Sequence, residues 1–322
     1  MNEYSFELCL CAYLERTTEG IIARQVGGGA HDRGRRILDV VLIEPGPGFD
    51  DRAAITTDTI PAAAIESEAG PGRWRRWPQT VDIPAKTATR ILEEAIAVGF
   101  FEHERRAGSD WVRQVSRYPD WIGGITAIEN KPDLGSPGAL CEQLRQDVSL
   151  GLVDRVILAT ASHVTRAHLN RIPREVGVWR VRFDEEEPVV EELRNPEPLD
   201  PEAWGLEVVD AKPTRTRIRP VDPEAKRRAR ISLAERTYGK GWRPRFPACA
   251  EARVVEVAET ASLPHCDWKK RIIDPVHCGP SCPRYDHAKP PAVDRTAERE
   301  RNTPWTTETD GIRQQSGLSD FC

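Results

Sequence analysis

Glu129 and Lys131 lie two residues apart at the end of the apolar stretch IGGITAIENKPD, residues 122–133. Ile122, Ile125 and Ile128, with Thr126 and Ala127 between them, read as a largely buried strand that stops at Pro132, a residue with no N–H to give a ladder. Side chains two apart in a strand share a face, so this carboxylate and ammonium emerge together where the sheet opens to solvent. A second carboxylate, Asp39, is embedded in the aliphatic run ILDVVLI. An unpaired charge there is very costly, which leaves a divalent cation held by oxygen ligands, or a salt bridge to a neighbouring strand. Glu129 is the natural second ligand of such an ion. Lys131 suits the negative charge that builds up when a phosphodiester is attacked, and Glu7 can add a third carboxylate or hold a water on the ion.

Soft ligands gather elsewhere. Of eight cysteines, Cys249, Cys266, Cys278 and Cys282 fall close together with His265, His277 and His287 interleaved. In a reducing compartment such clustering points to a metal rather than to disulfides. Only the CGPSC pair has short metal-ligand spacing; tetrahedral zinc is the default for four thiolates, and free thiols in a polar tail are the alternative. Arg105, Arg106, Arg113 and Arg117, near Trp74, Trp77 and Trp111, suit phosphate contact and base stacking. The basic run from Lys212 to Arg245 can release counterions from a nucleic acid or neutralise the acidic segment before it.

These residues need elements to hold them. Residues 3–16 carry Phe6, Leu10, Tyr13 and Leu14 at helical spacing and form a first helix containing Glu7. Residues 21–26 and 35–44 read as strands, the second buried on both faces. After the strand at Ile122 come a helix over 136–150, including Gln143, a strand over 153–160, a short helix and a strand over 176–183. Between the second and third strands, Pro84 precedes a helix over 85–98 capped by Gly99. Two extended runs follow, joined by AGSD, in the layout of a winged helix.

A helix bearing Glu7, a strand bearing Asp39 and a strand ending in Glu129-x-Lys131, followed by a helix and a strand, resemble the αβββαβ core of the PD-(D/E)XK nuclease superfamily. That likeness implies an α/β fold with a mixed, restriction-endonuclease-like sheet over residues 1–55 and 119–183, interrupted by a winged-helix-like insertion at 56–118. It implies that Asp39 and Glu129 bind Mg2+ or Mn2+ and that Lys131 orients or activates the attacking water. Gln143 resembles the helix glutamine of RecB-like members. Leu38 stands where the nominal proline precedes the aspartate, and Asp39 and Glu129 are farther apart in sequence than is usual. Some RecB-like members use C-terminal cysteines for a 4Fe-4S cluster that pins the chain end to the core. The resemblance therefore makes such a cluster the rival to Zn2+ in a module at 249–287, with Cys9 or Cys11 supplying a ligand from ahead of the core. The whole chain also resembles a haloarchaeal family within that superfamily.

The remaining sequence is read from charge. The formal net charge of -5 hides eleven acidic residues against Arg194 alone over 184–210, then twelve basic against three acidic over 211–249. With prolines at 196, 198, 201, 213 and 220, residues 184–248 are expected to be an acidic and then basic linker. Residues 288–322, polar throughout, are expected to be disordered. No run approaches the ~20 apolar residues that a bilayer requires, and no basic leader precedes the first helix, so a cytoplasmic protein with no membrane partner is expected. The leading expectation is a magnesium-dependent nuclease acting on DNA in repair or processing. Its rival is a catalytically inactive, nuclease-like protein that binds or regulates DNA, and a third reading is an assembly scaffold for the cysteine module.

Overall fold

The structure is a computed structural model, and it describes residues 1–32, 36–49, 61–65, 67–70, 73–97, 99–115, 121–136, 138–183, 188–212, 214–257, 261–295 and 297–298. In chain order the elements used below are α1 (Glu3–Thr17), β1 (Ile21–Gly27), β2 (Ile37–Pro45), α2 (Ala62–Ile65), β3 (Arg75–Arg76), α3 (Ala85–Ala97), β4 (Phe101–Arg106), β5 (Ser109–Gln114) and β6 (Ile122–Asn130). They continue with α4 (Leu140–Leu150), β7 (Arg155–Thr160), α5 (Arg166–Arg171), β8 (Gly177–Arg182), β9 (Val189–Arg194), β10 (Gly205–Lys212), β11 (Arg215–Val221) and α6 (Pro223–Lys240). The last are β12 (Ala252–Val257), β13 (Ala261–Cys266) and β14 (Arg271–Ile272). The chain divides into one unit of Met1–Glu44 with Gly124–Thr303 and another whose described part lies within Pro45–Gly123.

The larger unit is built on a six-stranded sheet in the order β1-β2-β6-β7-β8-β9. β1 and β2 form an antiparallel hairpin, whereas β6, β7 and β8 run parallel and are joined through α4 and α5. Parallel neighbours need such crossovers, and the apolar character of VILAT in β7 follows from being covered on both faces. Asp39 meets Asn130 at one end of the β2–β6 pair and Glu44 lies over Gly124 at the other, so these two strands are antiparallel. α1 starts where Asn2 accepts a hydrogen bond from the Ser5 N–H at 2.8 Å, a cap worth about 1 kcal/mol. Phe6, Leu8, Leu10 and Leu14 of that helix pack with Val40, Ile128, Ile157 and Val181 of the sheet in one core cluster. The order helix, three strands, helix, strand follows the expectation from the sequence; the mixed α/β class is what the structure establishes.

Residues 184–248 are not a linker. β9 adds an antiparallel edge strand to β8, and β10 and β11 form a separate antiparallel hairpin. α6 then packs against β1. Pro196, Pro198 and Pro201 fall between strands, and Pro220 sits on β11, which has no further partner strand and so needs no N–H there. Asp222 caps α6 by accepting from the Ala225 N–H, with Pro223 in the first turn, the signature of a helix start rather than of a linker. The disorder expected from residue 288 is not seen over 288–295 and 297–298, which are among the described residues. Glu298 is buried, bonded to Arg243 at 3.2 Å and to the Ser262 N–H at 3.0 Å, and residues 299–322 lie outside the described set.

The second unit has its own core of Trp77, Ile91, Leu92, Phe100, Phe101 and Val112. Gly99, at φ 67°, follows α3 in the left-handed conformation that suits a helix end. The hairpin is tighter than the AGSD loop suggested: only Ala107 and Gly108, both at positive φ, connect β4 to β5, as in a two-residue primed turn. The short β3 completes a three-stranded sheet in the order β3-β5-β4.

Candidate functional site

Asp39 on β2 and Glu129 on the adjacent β6 come near one another at the end of the strands. Asp39 Oδ2 accepts the backbone N–H of Asn130 at 2.9 Å, which fixes its carboxylate beside the end of β6. Glu129 is buried, and its pKa is pushed up to about 7 by burial first and by the charge of Asp39 second, with Arg36 acting against both. Burial likewise raises Asp39 and Glu7, and Asp39 contributes to the rise at Glu7. Asp39 is therefore within electrostatic reach of both other carboxylates. Glu7 is a buried group in the middle of α1 rather than a solvated one. Lys131 stands at the strand end with Glu3 as its ion-pair partner at 3.8 Å.

Four further residues complete the cluster, none of them singled out from the sequence. Arg24 forms an ion pair with Glu7, and the Gln25 amide donates to Glu7 Oε2 at 2.9 Å and leans toward Asp39 Oδ1 at 3.4 Å. Neighbouring residues of a regular strand point to opposite faces, so both should not reach one carboxylate. They do because Gln25 is held at φ 55°, a left-handed conformation that is uncommon for a residue other than glycine and is concentrated at functional sites. Arg36 forks onto Asp147 of α4 through two bonds of 2.8 and 2.7 Å and also reaches Glu129 at 2.6 Å. Burial works against the Arg36 charge, but Asp147 and Glu129 outweigh it and raise its pKa. Asp147 carried a legible signal, since it extends the buried stripe of Leu140 and Leu144 by a further turn. The side chain that α4 brings to the cluster is Asp147; Gln143, one turn earlier, makes no side-chain hydrogen bond among the described residues.

The donor set suits a hard cation. Mg2+ commonly uses only one or two protein carboxylates, with water and phosphate oxygens completing its shell, and Asp39 with Glu129 meets that requirement. As the side chains stand, no three His, Cys, Asp or Glu residues among those described close on a single point. The nearest cation to Glu129 is instead Arg36.

The four cysteines also meet. Cys249, Cys266, Cys278 and Cys282 line one cavity of about 240 Å3, together with Asn2, Glu3 and Tyr4 from the start of α1. The Cys278 thiol is raised by burial first and then by the other three sulfurs, so all four lie within electrostatic reach. Cys266 Sγ accepts the Lys269 N–H at 3.4 Å. Four soft donors fit zinc by chemistry, although the thiols do not converge on one point in the present arrangement. Cys9 and Cys11 do not line this cavity; they are buried in α1, where desolvation pushes Cys9 up to about 11 and raises Cys11 well above its ordinary value. The module is no separate domain either, because Ala261 and Leu263 of β13 belong to the main core cluster.

The arginines proposed for nucleic acid in the second unit are largely engaged locally. Arg106 pairs with Glu104 and lies over Trp74 and Trp111, and Arg113 pairs with Glu102 over Trp74. Arg105 is exposed, and Arg117 lies outside the described residues. Among the described residues no helix is long and apolar enough to cross a membrane.

No curated protein and no solved structure matches this chain. A family does: residues 21–287, which include β1 through the cysteine module, match a family of unknown function, and the chain belongs to that family, DUF5787.

Proposed function

We propose that the chain is a divalent-metal-dependent nuclease that hydrolyses phosphodiester bonds in DNA. The observation that carries this reading is Asp39 of β2 bonded to the end of β6 beside Glu129, with Lys131 two positions further along the chain and Glu7 joined to Asp39 through Gln25. A divalent cation there, when bound, neutralises phosphate charge and makes a water more acidic. The chain's own part is positional. Asn130 holds Asp39 in place, and Gln25 ties Glu7 to the same edge of the sheet. Among the described residues Lys131 has only a distant acidic partner, so its ammonium can turn to a phosphate oxygen or an attacking water. Arg36 holds Glu129 and Asp147 ready, and an arriving cation competes with it for Glu129.

The grip of Arg36 on Glu129 favours a second reading, a nuclease-like protein that binds DNA without cutting it. One assay separates the two. Purified protein with Mg2+ or Mn2+ is offered single-stranded, duplex and branched DNA. Cleavage that falls at least ~100-fold in both Lys131→Ala and Glu129→Gln supports the enzyme. DNA left intact by the wild-type chain supports the second reading, and wild-type cleavage by Lys131→Ala refutes the site.

We further propose that the cysteine cavity holds a structural metal, with Zn2+ the first choice for four thiolates. Elemental analysis and an absorption spectrum of the purified protein separate colourless zinc from a brown 4Fe-4S cluster.

A further inference from the structure

The basic run from Lys212 to Arg245 splits into two populations in the structure. In and after α6 four of the cations are turned inward. Lys226, almost fully buried, donates to the carbonyls of Asp200 and Ala203 at 2.8 and 3.0 Å. Arg230 is bonded to Asp154, Arg236 to the Gly27 carbonyl and Arg243 to Glu15. These are structural charges.

β11 is different. Its sequence RTRIRPV places Arg215, Arg217 and Arg219 at alternate positions, and every residue from 215 to 220 is exposed. Alternate residues share a face, so the three guanidinium groups form a row with a spacing of about 6.8 Å. Arg215 and Arg217 have no ion pair among the described residues, and Arg219 has only Glu207 at 3.9 Å. Glu207 is itself held by the backbone N–H groups of Ala30 and His31, at 2.8 and 3.1 Å. At the foot of the hairpin, Leu206, Glu207 and Val208 line one small cleft together with Arg36 and Asp147. The row of arginines thus starts beside the carboxylate cluster and leads away from it.

We propose that Arg215, Arg217 and Arg219 form a rail for the phosphodiester backbone of a nucleic-acid strand, leading it to the cluster of Asp39 and Glu129. The inference rests on the nuclease reading for its destination, but not for its contacts. Charged residues also protect an unpaired edge strand from pairing with other chains, and that role alone would give no nucleic-acid affinity.

Fluorescence anisotropy of labelled single-stranded and duplex oligonucleotides, in EDTA so that nothing is cut, tests the rail in the full chain. The wild-type protein should bind with a steep salt dependence. Replacing all three residues (Arg215→Gln, Arg217→Gln, Arg219→Gln) should lower the log–log salt slope by roughly 2 for a single strand or 2.7 for a duplex. Affinity at moderate salt should drop about 30-fold or more. The triple lysine replacement should keep the slope, and Arg90→Gln, in the other unit, should change nothing. Thermal melts establish that each variant is folded. Absence of wild-type binding to both probes overturns the proposal, as does a folded triple glutamine variant with an unaltered slope. If the wild-type chain binds through the rail but never cleaves with Mg2+ or Mn2+, the rail stands and the nuclease reading falls. If it cleaves while the triple variant keeps its slope, the reverse holds.

Discussion

The carboxylate cluster and the cysteine cavity lie in the same unit and are prepared for charge in opposite ways. Glu7, Asp39 and Glu129 sit on the two central layers of the core, and each has a partner already in place: Arg24, the Asn130 N–H and Arg36. The four thiols are gathered by short strands and turns, and the one hydrogen bond that reaches a sulfur is from a backbone N–H. The first cluster can therefore fold without an ion and admit one later. The second assembles four thiols whose ionised forms would repel one another, a placement that becomes favourable when a cation joins them. On the proposed reading, one region is arranged for chemistry and the other for closure.

The sharpest way to break this contrast is to exchange the consequences. Asp39→Asn and Glu129→Gln should each reduce Mg2+-dependent cleavage at least ~100-fold while leaving the melting temperature equal or higher, since each removes a buried charge that burial disfavours. Cys266→Ser and Cys278→Ser should instead lose the bound metal, measured by elemental analysis. Their melting temperature should drop by roughly 5–10 °C, with residual cleavage in the folded fraction. Carboxylate variants that melt early, or cysteine variants that melt normally, would erase the distinction.

A pH series sharpens it. Glu129 binds its proton more tightly in the folded chain, with a pKa of about 7 against an ordinary 4.5, so the folded state holds more protons between those values. Stability of the cation-free protein should then fall as pH rises from 4.5 to 7, by on the order of 5 °C in melting temperature, and level off above. Glu129→Gln should flatten that slope. The smallest expected effect is at Gln25. Gln25→Gly relieves the left-handed backbone but loses the bonds to Glu7 and Asp39, so stability should stay within about 1 kcal/mol of wild type. Gln25→Ala keeps the strain without the bonds and should be the less stable of the two in chemical denaturation.

The parts of this molecule that could be read in advance are those where burial writes a pattern. The aliphatic runs of β2, β6 and β7 and the apolar face of α1 announced themselves, and Asp39 stood out because it interrupts one of those runs. β11 and α6 were hidden by their charges. α6 has a weak apolar stripe because Lys226, Arg230 and Arg236 reach backbone carbonyls and a carboxylate instead of solvent, so a helix that packs closely reads as a basic tail. The bond from Arg36 to Asp147 spans 111 positions and leaves no local periodicity. The left-handed turn at Gln25 has no glycine or asparagine to signal it. The four cysteines were legible as a group from composition alone, whereas their neighbours from the start of α1 were not.

Lys131 has as its ion-pair partner a carboxylate, Glu3, that is 57% exposed and 3.8 Å away. So open a pair is attenuated by dissolved ions, unlike the enclosed fork of Arg36. Raising the ionic strength should leave the acidic half of the site in place while loosening its ammonium, making the concentration of simple salt a control on how readily Lys131 turns to an incoming phosphate.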